Sequence, residues 1–482
     1  MQAISTNKIK SLFPILLSVF CAIIYGNLFL RSEILAIVFL IAIVLMAFIF
    51  INPYKGIYLY LFVLPFCPDY IGFETGGFGG YNFAKLSIIC FLIPVIFNHF
   101  FKHFVEGKNN FDGEQNFFLF DLLVISFLIL SSVGHFINFG FKIGKSTLYG
   151  SIIDYYVVYF VITRFITKKE LLIKSVEILI YSGLFFCAFG ILDYFAQFGF
   201  YTRIMCKFFP FIDPSSFGVR ETFRSNVSRM QISFAQPLAL GIYLTILQTL
   251  ILSNYKNTFN TPKKIVYLLT FLLSFFSLIL TQARGPFVID CIFIIILLFL
   301  RKAKKIFSFL ILFILLFALL FSFNVKPNST IVTNFESGNI QDKKNIAYRS
   351  GIYKDFVSKL HKLSLVGEDK KLYKSLQRQF QSDIVVWYLQ ILIHGGLITF
   401  FVFILLIAKV IIHGVIICFR YKEKYMYGCF FAFAALLFCY LGISFIGLAR
   451  FYFWIILSLC IGIIVYSKKY PFPMNENCKN KD

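Results

Sequence analysis

Apolar runs of about 17 to 25 residues follow one another from residue 11 almost to residue 467, and a helix rising about 1.5 Å per residue needs that length to cross a bilayer core. Candidate spans are 11–30, 34–52, 57–67 with a Pro-containing exit, 84–101, 117–139, 146–163, 174–198, 230–253, 265–282, 286–300, 306–324, 396–418, 426–446 and 451–467. The pattern predicts an all-α fold: a polytopic membrane helix bundle of about 14 transmembrane helices (12–14). The alternating ten-residue segments of a membrane barrel do not occur. The first span is longer than a signal-peptide core and has no convincing small-residue cleavage site, so it is expected to be retained.

The polar breaks set the orientation. Lys8/Lys10, Lys102/Lys108, Arg164/Lys168/Lys169, Lys256/Lys263/Lys264, Arg301/Lys302/Lys304/Lys305, Arg420/Lys422/Lys424 and Lys468/Lys469 all alternate onto one side, which basic loops mark as cytoplasmic. An even number of spans then places both termini there. On the other side three segments exceed simple turns: the Gly-rich 68–83, the Arg-bearing 199–229, and 325–395, the largest polar stretch of the chain. The organisation expected is 1–324 with helices 1–11 and short cytoplasmic loops, 325–395 as a large, partly helical periplasmic loop capping the bundle, 396–467 with the last three helices, and 468–482 as a cytoplasmic tail. Within the large loop, 352–363 (IYKDFVSKLHKL) gathers its apolar residues on one helical face. Long loops outside and minimal ones inside point to work done outside.

Composition agrees with a membrane protein: 59% hydrophobic, 20% aromatic, only 14% charged, mean hydropathy +0.80 over 482 residues. The net charge of +23 would imply nucleic acid on a soluble protein. Here most lysines flank spans, where they face anionic membrane lipid, and no nucleic-acid partner is expected. The eleven cysteines have no paired spacing for disulfides or zinc and read as small core hydrophobes. No Walker loop, dinucleotide fingerprint, HExxH or Gly-x-Ser-x-Gly occurs, and no metal or cofactor is expected.

Arginine breaks the pattern. Nine of twelve, Arg31, Arg203, Arg220, Arg224, Arg229, Arg284, Arg349, Arg378 and Arg450, fall on the side where basic residues are normally scarce. A permanent charge on a planar fork matches phosphate, so the distribution points to a bound anion at the outer face. Arg284, in LTQARGPFVID, lies between two spans so close together that it must sit at the membrane surface. Gly285 and Pro286 beside it fit a helix stop and restart that would expose helix-end amides. Arg220 and Arg224 would share a face if helical, and otherwise read as a basic loop over lipid headgroups. Arg229 lies closer to the membrane, and Gln236 and Pro237 interrupt the following span, where a broken helix can present polar backbone to a ligand.

The large loop adds Arg349, Arg378 and Asp383. Asp383, just before the apolar IVVWYLQIL, could take a proton from a sugar hydroxyl or simply cap a helix. His361 reads as solvated, and His394, beside a Gly-Gly pair, as packed. Asp154 and Asp290 lie in or near spans and read as buried hydrogen-bonded groups near helix ends, with a proton or ion pathway as the alternative.

Four segments in order, RMQISFAQPLALGIYL (229–244), LTQARGPFVIDCIFIIILLFL (280–300), AYRSGIYKDFVSKLHKLSLVGED (347–369) and WYLQILIHGGLITFFVFILLI (387–407), resemble the bacterial O-antigen polymerase and O-antigen ligase family. The resemblance covers about the last 260 residues. It implies an inverting, metal-independent glycosyltransferase of the bacterial inner membrane that uses an undecaprenyl-pyrophosphate-linked oligosaccharide, with a chain-length regulator and a flippase as further partners. By this resemblance Arg229 and Arg284 match the phosphate-binding arginines and Arg349 the loop arginine. Ligases of the family carry a His-Asn pair where this chain has Val385-Val386, so a polymerase is the favoured reading, with Asp383 the nearest substitute base. The alternatives are an O-antigen ligase acting on lipid A-core and, from another class, a flippase for the same lipid-linked oligosaccharide.

Overall fold

The computed structural model describes residues 33–68, 72–75, 79–106, 114–165, 168–196, 201, 223–224, 227–234, 236–255, 260–300, 364–366, 387–420, 424–441 and 447–469. The helices are α1 (Glu33–Ile51), α2 (Pro53–Val63), α3 (Phe83–Phe91), α4 (Ile93–Glu106), α5 (Glu114–Phe139), α6 (Phe141–Ser151), α7 (Val158–Phe165), α8 (Lys169–Phe195), α9 (Pro237–Tyr255), α10 (Thr261–Thr281), α11 (Arg284–Leu300), α12 (Trp387–Arg420), α13 (Lys424–Tyr440) and α14 (Leu448–Lys469). A π turn, Ile152–Val157, joins α6 to α7. Two small antiparallel ladders interrupt the helical fold: β1 (Gly72–Thr75) with β2 (Gly79–Asn82), and β3 (Phe223–Arg224) with β4 (Val227–Ser228). The candidate spans 11–30 and 306–324 lie outside the described residues.

Among the described residues, seven helical stretches are long and apolar enough to cross a membrane: Phe83–Phe101, Phe117–Ile137, Lys169–Phe195, Pro237–Tyr255, Thr261–Thr281, Trp387–Cys418 and Leu448–Ser467. Each overlaps a run read from hydropathy. The arrangement is concentric. The span in α14 is 94% buried and that in α9 83%, against 33% for α12, so α9 and α14 form the centre and the others surround them. The outer helices turn large apolar side chains outward, Ile41, Val44, Phe118, Ile129, Phe401 and Ile412 among them, as a lipid-facing surface requires.

Local sequence explains where the helices start and break. Pro53 and Pro262 stand in the first turns of α2 and α10, where the missing N–H costs nothing. Asn82 caps α3 by accepting from the Lys85 amide at 2.9 Å. At its regular rise α12 would be about 50 Å long, beyond a bilayer core of about 30 Å, and it breaks at Gly396, whose φ of 83° and ψ of −179° suit only glycine. Beyond the break, the Leu397 and Ile398 amides donate to the Ser364 and Leu365 carbonyls at 3.3 and 3.1 Å. A piece of the large polar stretch thereby satisfies the amides that the kink frees.

The two ends of the bundle differ. At one end Arg164 pairs with Asp121, which also accepts from the Tyr159 hydroxyl at 2.7 Å, and Lys263 pairs with Glu177 at 2.7 Å. The opposite end carries the close of α10 and the starts of α9, α11 and α14. Tyr243 and Tyr452, each within the first two turns of its helix, meet there at a centroid distance of 4.6 Å.

Candidate functional site

The site forms where α10 stops and α11 begins. Gln282 takes a left-handed conformation (φ 53°, ψ 28°) and ends α10; Thr281 Oγ1 accepts the Ala283 amide at 3.1 Å, and α11 restarts at Arg284. The helix break therefore falls at Gln282–Ala283, slightly ahead of the Gly285-Pro286 pair, and Pro286 lies in the first turn of α11, where no amide is needed. Arg284 and Gly285 are exposed on the first turn of α11, whose amides and dipole favour an anion.

Arg229 reaches the same turn from another segment. Its Nε donates to the Thr281 carbonyl at 3.0 Å, and the Met230 amide donates to the Leu280 carbonyl at 3.0 Å. The strand-like piece before α9 is thus stitched to the end of α10, and both arginines belong to one junction. The segment is strained: Ile232, β-branched, has φ 52°, a region that branched residues rarely occupy and that over-determined functional sites retain. It is held by the Ser233 hydroxyl, which bonds the Pro65 carbonyl, and by Met230 and Phe234, both fully buried. Gln236 follows, its carbonyl accepting from the Ala239 and Leu240 amides at 3.1 and 3.2 Å, and α9 starts at Pro237. The hydropathic run beginning at 230 therefore enters α9 only at Pro237, as the Gln236-Pro237 interruption anticipated. Gly241 completes the junction. A Cβ there would lie 2.9 Å from the Ala283 Cβ and 3.0 Å from Pro286, so only glycine lets α9 press against the turn bearing Arg284.

The other sequence candidates divide. Arg224 lies in the two-residue strand β3 opposite Val227, and its helical pairing with Arg220 lies outside the described residues. Arg220, Arg349, Arg378, Asp383 and His361 lie outside the described residues. His394 stacks on His135 at 5.4 Å, directly before the kink of α12.

Asp290, fully buried in α11, has no hydrogen-bond partner on either carboxyl oxygen, which departs from the hydrogen-bonded reading. Asp154 is buried and partnered, but by charged groups. It is 2% exposed in the π turn, and its Oδ2 lies 3.6 Å from Lys85 Nζ and 3.3 Å from Arg450 Nη2. Lys85 starts α3 and Arg450 starts α14, so three distant parts of the chain meet in one charged cluster at the arginine-bearing end. Sequence reasoning did not assemble it; Arg450, on the side that the basic loops leave poor in lysine, and Asp154 inside an apolar run were its two visible signals. Among the described residues no group of His, Cys, Asp and Glu side chains has the geometry to hold a metal ion. No family model, curated protein or solved structure matches this chain.

Proposed function

We propose that this chain is an integral-membrane glycosyltransferase of the O-antigen polymerase type. It moves a glycan from an undecaprenyl-pyrophosphate carrier to the end of another lipid-linked repeat unit at the extracytoplasmic face of a bacterial inner membrane. On this reading the chain crosses the membrane about fourteen times, both termini are cytoplasmic, and the large polar stretch 325–395 caps the outer side. The observation that carries it is the convergence of Arg229 and Arg284 on one helix break, with a helix N-terminus beside them. In transfer, the anomeric carbon loses its bond to the phosphate oxygen while an acceptor hydroxyl attacks from the opposite face. Negative charge builds on the departing diphosphate, and guanidinium groups fixed in a partly dry site stabilise it without a divalent ion. Arg220, Arg224, Arg349, Arg378 and Gln236 are assigned to holding the substrate.

The test is a glycan gel from cells carrying Arg284→Ala. Loss of long chains with preserved lipid-linked repeat units supports the enzyme; unchanged chain length defeats it. A second reading, a flippase for the same oligosaccharide, is favoured by the buried ionisable groups Asp154 and Asp290, which transporters place on their pathways. A flippase variant would leave repeat units facing the cytoplasm, which probing their sidedness in intact cells distinguishes.

A further inference from the structure

The Lys85–Asp154–Arg450 cluster lies at the same end of the bundle as the arginine junction, and the chemistry above leaves it unused. Its bonding is incomplete. Asp154 turns Oδ2 to the two cations, but Oδ1, equally buried, has no hydrogen-bond partner. The hydroxyl of fully buried Tyr60, within electrostatic reach of Asp154, has none either. The Tyr155 hydroxyl is within hydrogen-bonding reach of Arg450, and its ring stacks on Trp454 at 5.3 Å.

A cluster serving cohesion alone would close these bonds, because an open buried acceptor is unfavourable. An open carboxylate oxygen fits a ligand that carries a hydroxyl. The carboxylate sits in a π turn, a rare element concentrated at functional sites. The side chains of Lys85 and Arg450 are 14% and 24% exposed, so the cluster reaches the surface through them. The helices that carry the two sites meet at this end: Tyr452 of α14 packs on Tyr243 of α9, the helix whose Gly241 presses on the Arg284 turn.

We propose that Asp154 is the acceptor-hydroxyl site of the transfer reaction, an assignment that rests on the proposed function. Oδ1 accepts a hydrogen bond from the acceptor sugar's hydroxyl and then its proton. The oxygen's electron pair forms the new bond to the anomeric carbon, and the anomeric carbon–phosphate oxygen bond breaks. That bond's electrons leave on the diphosphate held by Arg229 and Arg284. One carboxylate is neutralised as one negative charge appears on the leaving group, and no further reactant is needed. Lys85 and Arg450 are positioning residues that hold the carboxylate by Oδ2 and leave Oδ1 to the acceptor.

The experiment uses the full-length protein in nanodiscs, with lipid-linked repeat units accumulated by a strain lacking it, and reads two quantities: polymer formed, and affinity for undecaprenyl diphosphate alone. Asp154→Asn is expected to lower polymer formation by at least about 100-fold, the scale of general-base catalysis, while the affinity stays within about twofold of the parent. The triple variant Lys85→Met/Asp154→Asn/Arg450→Met removes the charge from every member of the cluster and guards against misassembly, since neutralising all partners repairs a purely cohesive cluster. It is expected to remain inactive; recovery of polymer formation overturns the proposal. So does an affinity loss in Asp154→Asn equal to that of Arg284→Ala, which would fold the cluster into the diphosphate site. Normal polymerisation by Asp154→Asn alongside an inactive Asp383→Asn would move the base to Asp383. A parent protein that neither binds undecaprenyl diphosphate nor polymerises refutes the underlying function, and this assignment with it.

Discussion

At the scale of single residues, the proposed reaction depends on guanidinium chemistry. Arg284→Ala is expected to lower polymer formation by about 10²- to 10³-fold, the loss typical of removing one preorganised donor from a developing negative charge. Arg284→Lys should recover only part of it, because an ammonium is a point charge without the fork that fits phosphate. A rate assay on isolated lipid-linked repeats measures both. Arg229 also has a structural role, since its Nε already holds the Thr281 carbonyl; Arg229→Ala should therefore lower thermal stability as well. These two arginines were legible in the sequence because a basic residue that breaks the alternation of the lysine-bearing loops is a signal that one position carries alone. The Lys85–Asp154–Arg450 cluster was not. Its members belong to separate elements, and no periodicity links residues that only packing brings together. Asp290 was misread for the opposite reason: a carboxyl in an apolar helix implies a partner, and among the described residues the fold supplies none.

At the scale of elements, close packing at the helix break makes a sharper prediction than charge. Gly241→Leu must force α9 away from Ala283 and Pro286, and overpacking of this kind costs about 1–3 kcal/mol. Thermal unfolding in detergent should show it, together with lost activity. Gly285→Ala, at an exposed position with nothing within 4 Å of the added methyl, should leave stability unchanged. Gly396→Ala should cost about 1–3 kcal/mol through backbone strain alone, and limited proteolysis near 364–366 should increase as that segment loses the Leu397 and Ile398 amides. Hydropathy located these helices but not their internal breaks. Averaging over a membrane-length window treats the residues from 230 to 236 as span because the apolar run after them outweighs Gln231, Ser233 and Gln236, although the left-handed Ile232 and the start of α9 at Pro237 keep that stretch out of the helix. The π turn at Ile152–Val157 and the β1–β2 ladder were equally invisible, since local hydrogen-bond register leaves no mark on hydropathy.

At the scale of the whole molecule, the charged ends give the bundle a direction. Cysteine introduced at Gly285 should react with a membrane-impermeant maleimide in intact cells, whereas cysteine at Lys263, at the opposite end of α10, should react only after permeabilisation; the parent chain supplies the background from its own thiols. The membrane class was legible because length and apolarity alone select it. The concentric order, with α9 and α14 central, was not, because both central and peripheral helices in a bilayer are apolar and hydropathy cannot rank them. The central claim is that Arg229 and Arg284 together hold a lipid diphosphate, and titrating undecaprenyl diphosphate into the protein in nanodiscs with EDTA present tests it most directly. The predicted result is saturable binding that weakens at least about tenfold in Arg284→Ala, the scale of one lost charge-assisted contact, and further in the double variant with Arg229→Ala. Binding of equal strength in all three proteins would contradict it.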